Sequence, residues 1–149
     1  MKQITEAQIE NYLAEWKNIL RLNDWDIKSL LITQEWHKSG DIKIDRDNRM
    51  ATDMIHESVP EKHLEEVVVH ELLHLRIYGM DQMLEETINI LFGNNNKDPK
   101  KIFAMNAFFV ELESTVENLT KALMTAHGKQ SEFWFKRVDS QIHEELTQN

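Results

Sequence analysis

Residues 67–75 read Val67-Val-Val-His70-Glu71-Leu-Leu-His74-Leu75, and this stretch decides where the main helix and the chemistry of the chain lie. Its aliphatic residues recur at helical intervals, so we expect a helix with His70 and His74 one turn apart on the same side. Two imidazoles at that spacing can bind one metal ion, with Glu71 beside it. Two surface histidines would show the same spacing, but the aliphatic neighbours predict a position near a core, where a metal offsets the cost of burial.

Zinc is the metal that this pattern favours. It accepts nitrogen and carboxylate oxygen in tetrahedral geometry and leaves one position for water. Glu71 is placed to accept a proton from that water. The chain has no Cys, so every ligand must come from His, Asp or Glu. The sequence therefore predicts a Zn²⁺ cofactor in an open site of the catalytic type.

A third protein ligand must come from outside the motif. The extended pattern His-Glu-x-x-His-x-x-Gly-x-x-His is absent, because Ile77 and Met80 occupy its Gly and last His positions. A Glu from a later helix is the other common solution, and Glu111, Glu113 and Glu117 are the candidates. Glu113 lies roughly 80° from the centre of the apolar stripe of its helix, whereas the other two lie roughly 120° away. Glu113 is therefore the predicted third ligand.

Other polar residues receive subordinate predictions. Glu117 is expected either to accept the outer N–H of a ligating His or to be an ordinary solvated Glu, and Glu111 is expected at the surface. His127 and Asp81 are the second and third choices for the third ligand, and Tyr78 is a candidate oxyanion donor. The remaining histidines are expected to be surface or capping residues: His37, His56, His63 and His143.

The few Gly and Pro residues predict a mostly helical chain. Hydrophobic periodicity predicts helices over residues 5–22, 61–78, 82–92, 102–126 and 131–146, with Thr5 and Ser131 as caps and Gly79, Gly93 and Gly128 as stops. Residues 127–130 are a candidate hinge. Three short extended segments, 25–36, 41–45 and 50–58, predict a small sheet that we expect to be antiparallel. The aromatic clusters 108–109 and 133–135 are expected to lie on amphipathic helices and to serve core packing or helix docking.

Composition limits the partners. The 149 residues include 17 basic and 26 acidic side chains, which give a net charge of −9. A negative net charge disfavours binding to nucleic-acid phosphates and to anionic membranes. The first residues lack the apolar run of a signal peptide, and no stretch of 18 apolar residues occurs. We therefore expect a cytoplasmic protein that binds neither nucleic acid nor membrane.

A family resemblance rests on three segments: His70-Glu-Leu-Leu-His74-Leu, the earlier Met50-Ala-Thr-Asp-Met-Ile55, and the later Glu113-x-x-x-Glu117-x-Leu119. Over roughly residues 12–126 the chain resembles the small zinc metallopeptidases of bacteriophages and prophages, which are similar to minimal zincins with a Glu third ligand. The resemblance implies an α+β fold with an N-terminal helix, a small sheet, an active-site helix and a later helix that delivers the Glu. It also implies strand addition of substrate at an edge strand, here Met50 to His56. Many such zincins have Asp where Glu117 stands.

These observations predict a zincin-like metallopeptidase domain over residues 1–128 and a C-terminal helical extension of it over 129–149. The extension is expected to dock on the core, mediate dimerisation or lie over the active cleft. The expected function is zinc-dependent hydrolysis of peptide bonds in a protein or peptide substrate, with Glu71 as general base. The alternative is a zincin-like metal-binding regulatory or interaction protein of phage origin with no general proteolytic activity.

Overall fold

The computed structural model describes residues 2–130 and 132–148. It shows the predicted mixture of helices and a small three-stranded sheet, in the order α1 (Glu6–Ile19), β1 (Asp26–Ile32), β2 (Gly40–Asp45), β3 (Met50–His56), α2 (Leu64–Phe92), α3 (Pro99–His127) and α4 (Lys136–Thr147). A short 3-10 turn, Glu61–His63, precedes α2. The described part of the chain contains no helix long and apolar enough to cross a membrane.

The first helix begins as predicted. Thr5 caps α1 in a capping box, in which its side chain accepts from the backbone N–H of Gln8 and the Gln8 side chain accepts from the backbone N–H of Thr5. The residues that α1 buries, Ile9, Leu13 and Trp16, follow at helical spacing. They attach α1 to the sheet and α2, and this packing contains most of the hydrophobic core.

The strand order corrects the expected antiparallel sheet. The order is β1-β3-β2, with β2 and β3 antiparallel but β1 and β3 parallel. A tight turn between Asp45 and Met50, with Arg49 at φ 53°, makes β2 and β3 a hairpin. The longer connection over residues 33–39 carries the chain past β3, so β3 is the central strand. The prediction that residues 50–56 form a substrate-binding edge strand is therefore wrong, because both edges of β3 are paired.

The motif helix is longer than predicted. α2 continues through Gly79 to Phe92 and ends at Gly93, which has φ +72°, so the predicted stop at Gly79 and the separate second helix are wrong. A glycine inside a helix costs about 1 kcal/mol relative to Ala but does not by itself end it. The guanidinium of Arg46 lies against Gly79, where an added Cβ would be 3.0 Å from it. The three atoms nearest to that position all belong to this guanidinium.

The third helix matches its prediction and packs along α2. Asp98 caps α3 and Pro99 occupies its first turn, whereas Gly128 follows its end. The segment after α3, a candidate hinge in the sequence, is tied to the buried Glu65, whose carboxylate accepts from the backbone N–H groups of Lys129 and Gln130 at 2.9 and 3.1 Å. The same Glu65 accepts from the indole N–H of Trp16 at 2.9 Å. One buried carboxylate thus joins α1, α2 and the end of α3.

The C-terminal segment differs from its prediction. α4 begins at Lys136, and the predicted cap Ser131 lies outside the described residues. The aromatic residues 133–135 precede the helix instead of lying on it, so their predicted placement on a helix is wrong. Trp134 stacks on His63 with ring centroids 5.4 Å apart and packs against the core. This contact brings the start of α4 to the polar side of α2.

Candidate metal centre

The core positions the motif on α2. Val68, Leu72 and Leu75 are buried in the core, which fixes the rotation of the helix about its axis. His70 and His74, at the intervening helical positions, consequently face a cavity of about 1100 Å³. The cavity lies between α2, α3, the β2 strand and residues 133–141, so the motif forms one wall of a cleft that a ligand can enter.

Three side chains converge in this cavity. The Nε2 atoms of His70 and His74 lie 3.2 Å apart. The Glu113 carboxylate lies 3.0 Å from Nε2 of His74 and 3.5 Å from Nε2 of His70. One ligand atom from each residue lies within 4.8 Å of the others, which suits a single metal ion. The structure thus brings together the two histidines and the Glu that the sequence singled out.

Buried residues of α3 fix the direction in which Glu113 and Glu117 point. Val116 and Thr120 are fully buried, which turns Glu113 and Glu117 toward the cavity. An oxygen of Glu117 lies 3.5 Å from Nδ1 of His70, the ring nitrogen that faces away from the metal position. Glu111 is exposed, as predicted. Helical spacing on α3 therefore places one glutamate at the metal position and the next behind a histidine.

The charge states of the three candidate ligands suit metal binding. Burial lowers the pKa of His70, although the nearby carboxylates oppose it. Burial also opposes the charged form of His74, but its hydrogen bond with Glu113 and the charge of Glu71 outweigh it, so the pKa of His74 is raised. The same hydrogen bond lowers the pKa of Glu113. These shifts favour a neutral His70 and an ionised Glu113, and any proton on His74 would be released when a metal binds.

The side chain of Glu71 extends from α2 toward the β2 strand. Gly40 on β2 makes this possible, because an added Cβ there would lie 2.9 Å from Oε1 of Glu71 and 3.0 Å from the side chain of Val67. Burial, and then the charge of Asp53, raise the pKa of Glu71 to about 8. A carboxyl with a pKa near neutrality, next to a metal position in a cavity, is suited to accepting and returning a proton.

A second buried acid, Asp53, was missed from the sequence. It lies at the centre of β3, is fully buried, and neither carboxyl oxygen has a hydrogen-bond partner in the described structure. Burial, reinforced by the charge of Asp41, raises its pKa well above the usual range. Ala51, Asp53 and Ile55 share the buried face of β3, and this period-2 pattern is the signal that marks Asp53 as an inward residue.

Charged side chains that line the cavity form a network, most of which the sequence did not indicate. The Lys121 ammonium lies 3.0 Å from Glu117 and 3.2 Å from Glu66. Glu66 also accepts from the backbone N–H of Trp134 at 2.9 Å. Arg137, in the first turn of α4, brings its guanidinium to 3.9 Å from Glu113 and 3.8 Å from Glu117. Lys121 and Glu117 are four residues apart on α3, which is the spacing of a helical ion pair. The contacts of Glu66 and Arg137 join elements far apart in sequence, so no local spacing could reveal them.

The other residues proposed from the sequence as ligands or as an oxyanion donor occupy different positions relative to the centre. His127 is exposed at the end of α3, 14 residues or about 21 Å of helix from Glu113, so it does not join the centre. Asp81 and Tyr78 both line the cavity, but Asp81 is not in the converging group. Of the other histidines, His37 is exposed, as expected, at the rim of the cavity, whereas His63 departs from the expected surface role, because it is buried at the N-cap position of α2 without a side-chain capping hydrogen bond.

The extension lies over the cleft, one of its three predicted arrangements. Phe133, Phe135 and Arg137 line the cavity opposite the β2 strand, together with Trp134, Lys136, Val138, Ser140 and Gln141. α4 itself has no buried residue, so polar contacts and the preceding aromatic segment hold it in place. Comparison with protein-family models, with curated proteins and with solved structures gives no match. A functional assignment for the chain consequently rests on the geometry of this centre.

Proposed function

We propose that the protein is a zinc-dependent metallopeptidase. The observation that carries the proposal is the convergence of His70, His74 and Glu113 in a cleft that also contains the buried carboxyl of Glu71. Two imidazoles and one carboxylate are a ligand set of catalytic zinc sites, which keep a position for water. A structural zinc site would need a fourth protein ligand, and the converging group in the described residues has three members.

Zinc fits the donor set. Both histidines present Nε2, and the carboxylate of Glu113 contacts both rings. Zinc bound there would supply Lewis acidity, lowering the pKa of water and polarising a carbonyl. Glu117 stands behind Nδ1 of His70, where it can orient the ring. This supports the orienting role of Glu117 over that of an ordinary solvated residue.

Glu71 is the proton carrier in this proposal. Its ionised form accepts a proton from the attacking water, and the neutral acid then returns that proton to the leaving amine. A pKa raised to about 8 by burial makes the protonated form easy to reach, and a nearby dication would favour the ionised form. Gly40 keeps the carboxyl in reach of the cavity by allowing β2 to approach closely.

The substrate in this proposal is an extended peptide or an unfolded segment of a protein. β2 is an edge strand whose outer side has no partner strand in the described sheet, and Gly40, Asp41 and Ile42 of this strand line the cavity. An extended peptide can add to such an edge by backbone hydrogen bonds. The β2 strand thus replaces residues 50–56 as the candidate for strand addition.

A second candidate is a zincin-like metal-binding regulatory or interaction protein without general proteolytic activity. The position of residues 133–141 over the cleft favours it, because this segment restricts the approach of bulky substrates. The net charge of −9 favours a protein partner over nucleic acid or an anionic membrane in either case. Phage origin and a cytoplasmic location stay predictions from the sequence.

The Glu71→Gln variant tests the proposal. Gln keeps the shape of the side chain but cannot carry the proton, so zinc content should equal that of the wild type while cleavage of a chemically unfolded protein falls at least 100-fold. Zinc is measured by elemental analysis of protein purified without a His tag. Zinc binding with no cleavage by the wild type of a panel of unfolded proteins would favour the regulatory alternative, and equal cleavage by wild type and variant would refute the role of Glu71.

A further inference from the structure

One cation of the C-terminal segment lies at the metal centre. Arg137 is the second residue of α4, and its guanidinium is 3.9 Å from Oε2 of Glu113 and 3.8 Å from Oε1 of Glu117. Among the lysines and arginines that the structure describes, it is the one within 4.0 Å of Glu113. The segment that covers the cleft therefore brings one positive charge to the group that would bind the metal.

Neither packing nor strong pairing explains this position. α4 buries no residue, and the Arg137 side chain is 71% exposed. Both carboxylate distances exceed the 2.7–2.9 Å of a direct charge-assisted hydrogen bond. A guanidinium has five donors in a planar fork, so this one retains donors for another acceptor in the cavity that it lines.

The other cationic groups near the cleft are engaged elsewhere. Lys121 is held by Glu66 and Glu117 at 3.2 and 3.0 Å. The ammonium of Lys136 donates to the Ser39 hydroxyl and lies over the ring of Trp134. Tyr78, the candidate from the sequence, lines the cavity but offers one neutral donor.

We propose that Arg137 is the catalytic anion-binding residue of the centre, donating hydrogen bonds to the oxygen that becomes negative when a peptide carbonyl is attacked. This inference rests on the proposed peptidase function. In the reaction, water adds to the carbonyl carbon and Glu71 takes one proton, while the carbonyl electron pair moves to the oxygen facing Arg137. The electron pair on the oxygen then re-forms the carbonyl double bond. The C–N bond breaks, and the amine leaves with the proton from Glu71.

A binding experiment tests the role of Arg137 without turnover. Co²⁺ replaces zinc as a visible probe, and inorganic phosphate is titrated into the Co²⁺-loaded full-length protein while its absorption spectrum is recorded. Arg137→Gln should weaken phosphate binding about 10-fold or more, because a hydrogen bond to a charged group is lost. Arg76→Gln is the matched control, since it removes the same charge from an exposed residue of α2 outside the cavity lining. It should change phosphate affinity less than 2-fold.

The outcomes separate this inference from the proposed function. Normal Co²⁺ binding with equal phosphate affinity in wild type and Arg137→Gln would overturn the role of Arg137 and leave the metal centre intact. Failure of the wild type to bind Co²⁺ or zinc would overturn the proposed function itself. Turnover gives a second readout: Arg137→Gln should lower kcat about 100-fold with little change in KM, and Arg137→Lys should recover part of the loss. A change in KM alone would assign Arg137 to substrate binding and contradict the proposal.

Discussion

Two buried carboxyls, Glu71 and Asp53, show how individual residues set the chemistry of the cleft. Glu71 reaches the cavity, whereas Asp53 lies behind it in the central strand with no hydrogen-bond partner in the described structure. The charge of Asp53 helps to raise the pKa of Glu71. A buried acid without partners costs stability whenever it ionises. Asp53 therefore retains its proton in the folded protein to a higher pH than in the unfolded chain, and its charge opposes ionisation of Glu71 only where Asp53 does ionise.

The stability of Asp53→Asn relative to the wild type should increase as pH rises. The pKa of Asp53 is raised in the folded protein, so above about pH 4 the folded chain retains a proton that the unfolded chain has lost, and stability falls with increasing pH. Asn cannot ionise, which removes this part of the fall. Asp41 and Glu71 are the charged groups that interact with Asp53, and they are unchanged in the variant.

Urea unfolding of metal-free wild type and variant at pH 5 and pH 8 measures this difference. The amide of Asn also lacks partners, so the variant need not be more stable at pH 5. The unfolding free energy of the variant minus that of the wild type is expected to be larger at pH 8 than at pH 5. A difference in unfolding free energy that is the same at both pH values would contradict the buried, proton-retaining state of Asp53.

At the scale of elements, local patterns predicted what depends on local spacing. The N-cap at Thr5 follows from its position just before an amphipathic segment, and the long α3 and the position of Glu113 on its flank follow from helical periodicity. The strand order β1-β3-β2 depends on the path of the connection between β1 and β2, and local sequence patterns do not specify that path. The same holds for Arg137, which reaches the centre from 24 residues beyond Glu113 in the chain. Arg137 was missed because its role comes from a contact between distant elements, whereas Asp53 was missed although the alternating pattern of its strand marks it as an inward residue.

The continuity of α2 at Gly79 is testable by substitution. Gly79→Ala should stabilise the protein by about 0.5–1 kcal/mol, because Ala favours a helix interior and the nearest atom to a new Cβ is the mobile end of Arg46. Gly93→Ala is the control: nothing lies within 4 Å of its Cβ position, but its φ of +72° strains an L-residue, so this variant should lose stability. Thermal unfolding of both variants measures the contrast, and a similar loss in both would contradict a helix running through residue 79.

At the scale of the whole molecule, α2 connects the core to the cleft. One side packs against α1 and the sheet, and the other side carries the histidines toward α3 and the C-terminal segment. The candidate ligands come from two helices, so a bound metal would join α2 to α3. Metal binding should therefore contribute to global stability as well as to chemistry.

Zinc should raise the melting temperature of the metal-free protein. A ligand at 100 times its Kd stabilises the folded state by about 2.7 kcal/mol, which corresponds to about 5–10 °C for a chain of this length. Mg²⁺ is the control, because it prefers oxygen ligands in octahedral geometry and should cause little change at a centre with two imidazoles. Equal shifts with the two ions, measured by differential scanning calorimetry, would contradict a nitrogen-rich site.

The central claim is that His70, His74 and Glu113 together bind zinc, and titration calorimetry tests it most directly. Zn²⁺ is titrated into the metal-free wild type, Glu113→Ala and Glu111→Ala, the last being a matched control because Glu111 is exposed on the same helix two residues away. We predict one zinc per chain for wild type and Glu111→Ala with the same affinity, and binding at least 100-fold weaker for Glu113→Ala. Equal affinity of Glu113→Ala and wild type, or no zinc binding by the wild type, would contradict the account.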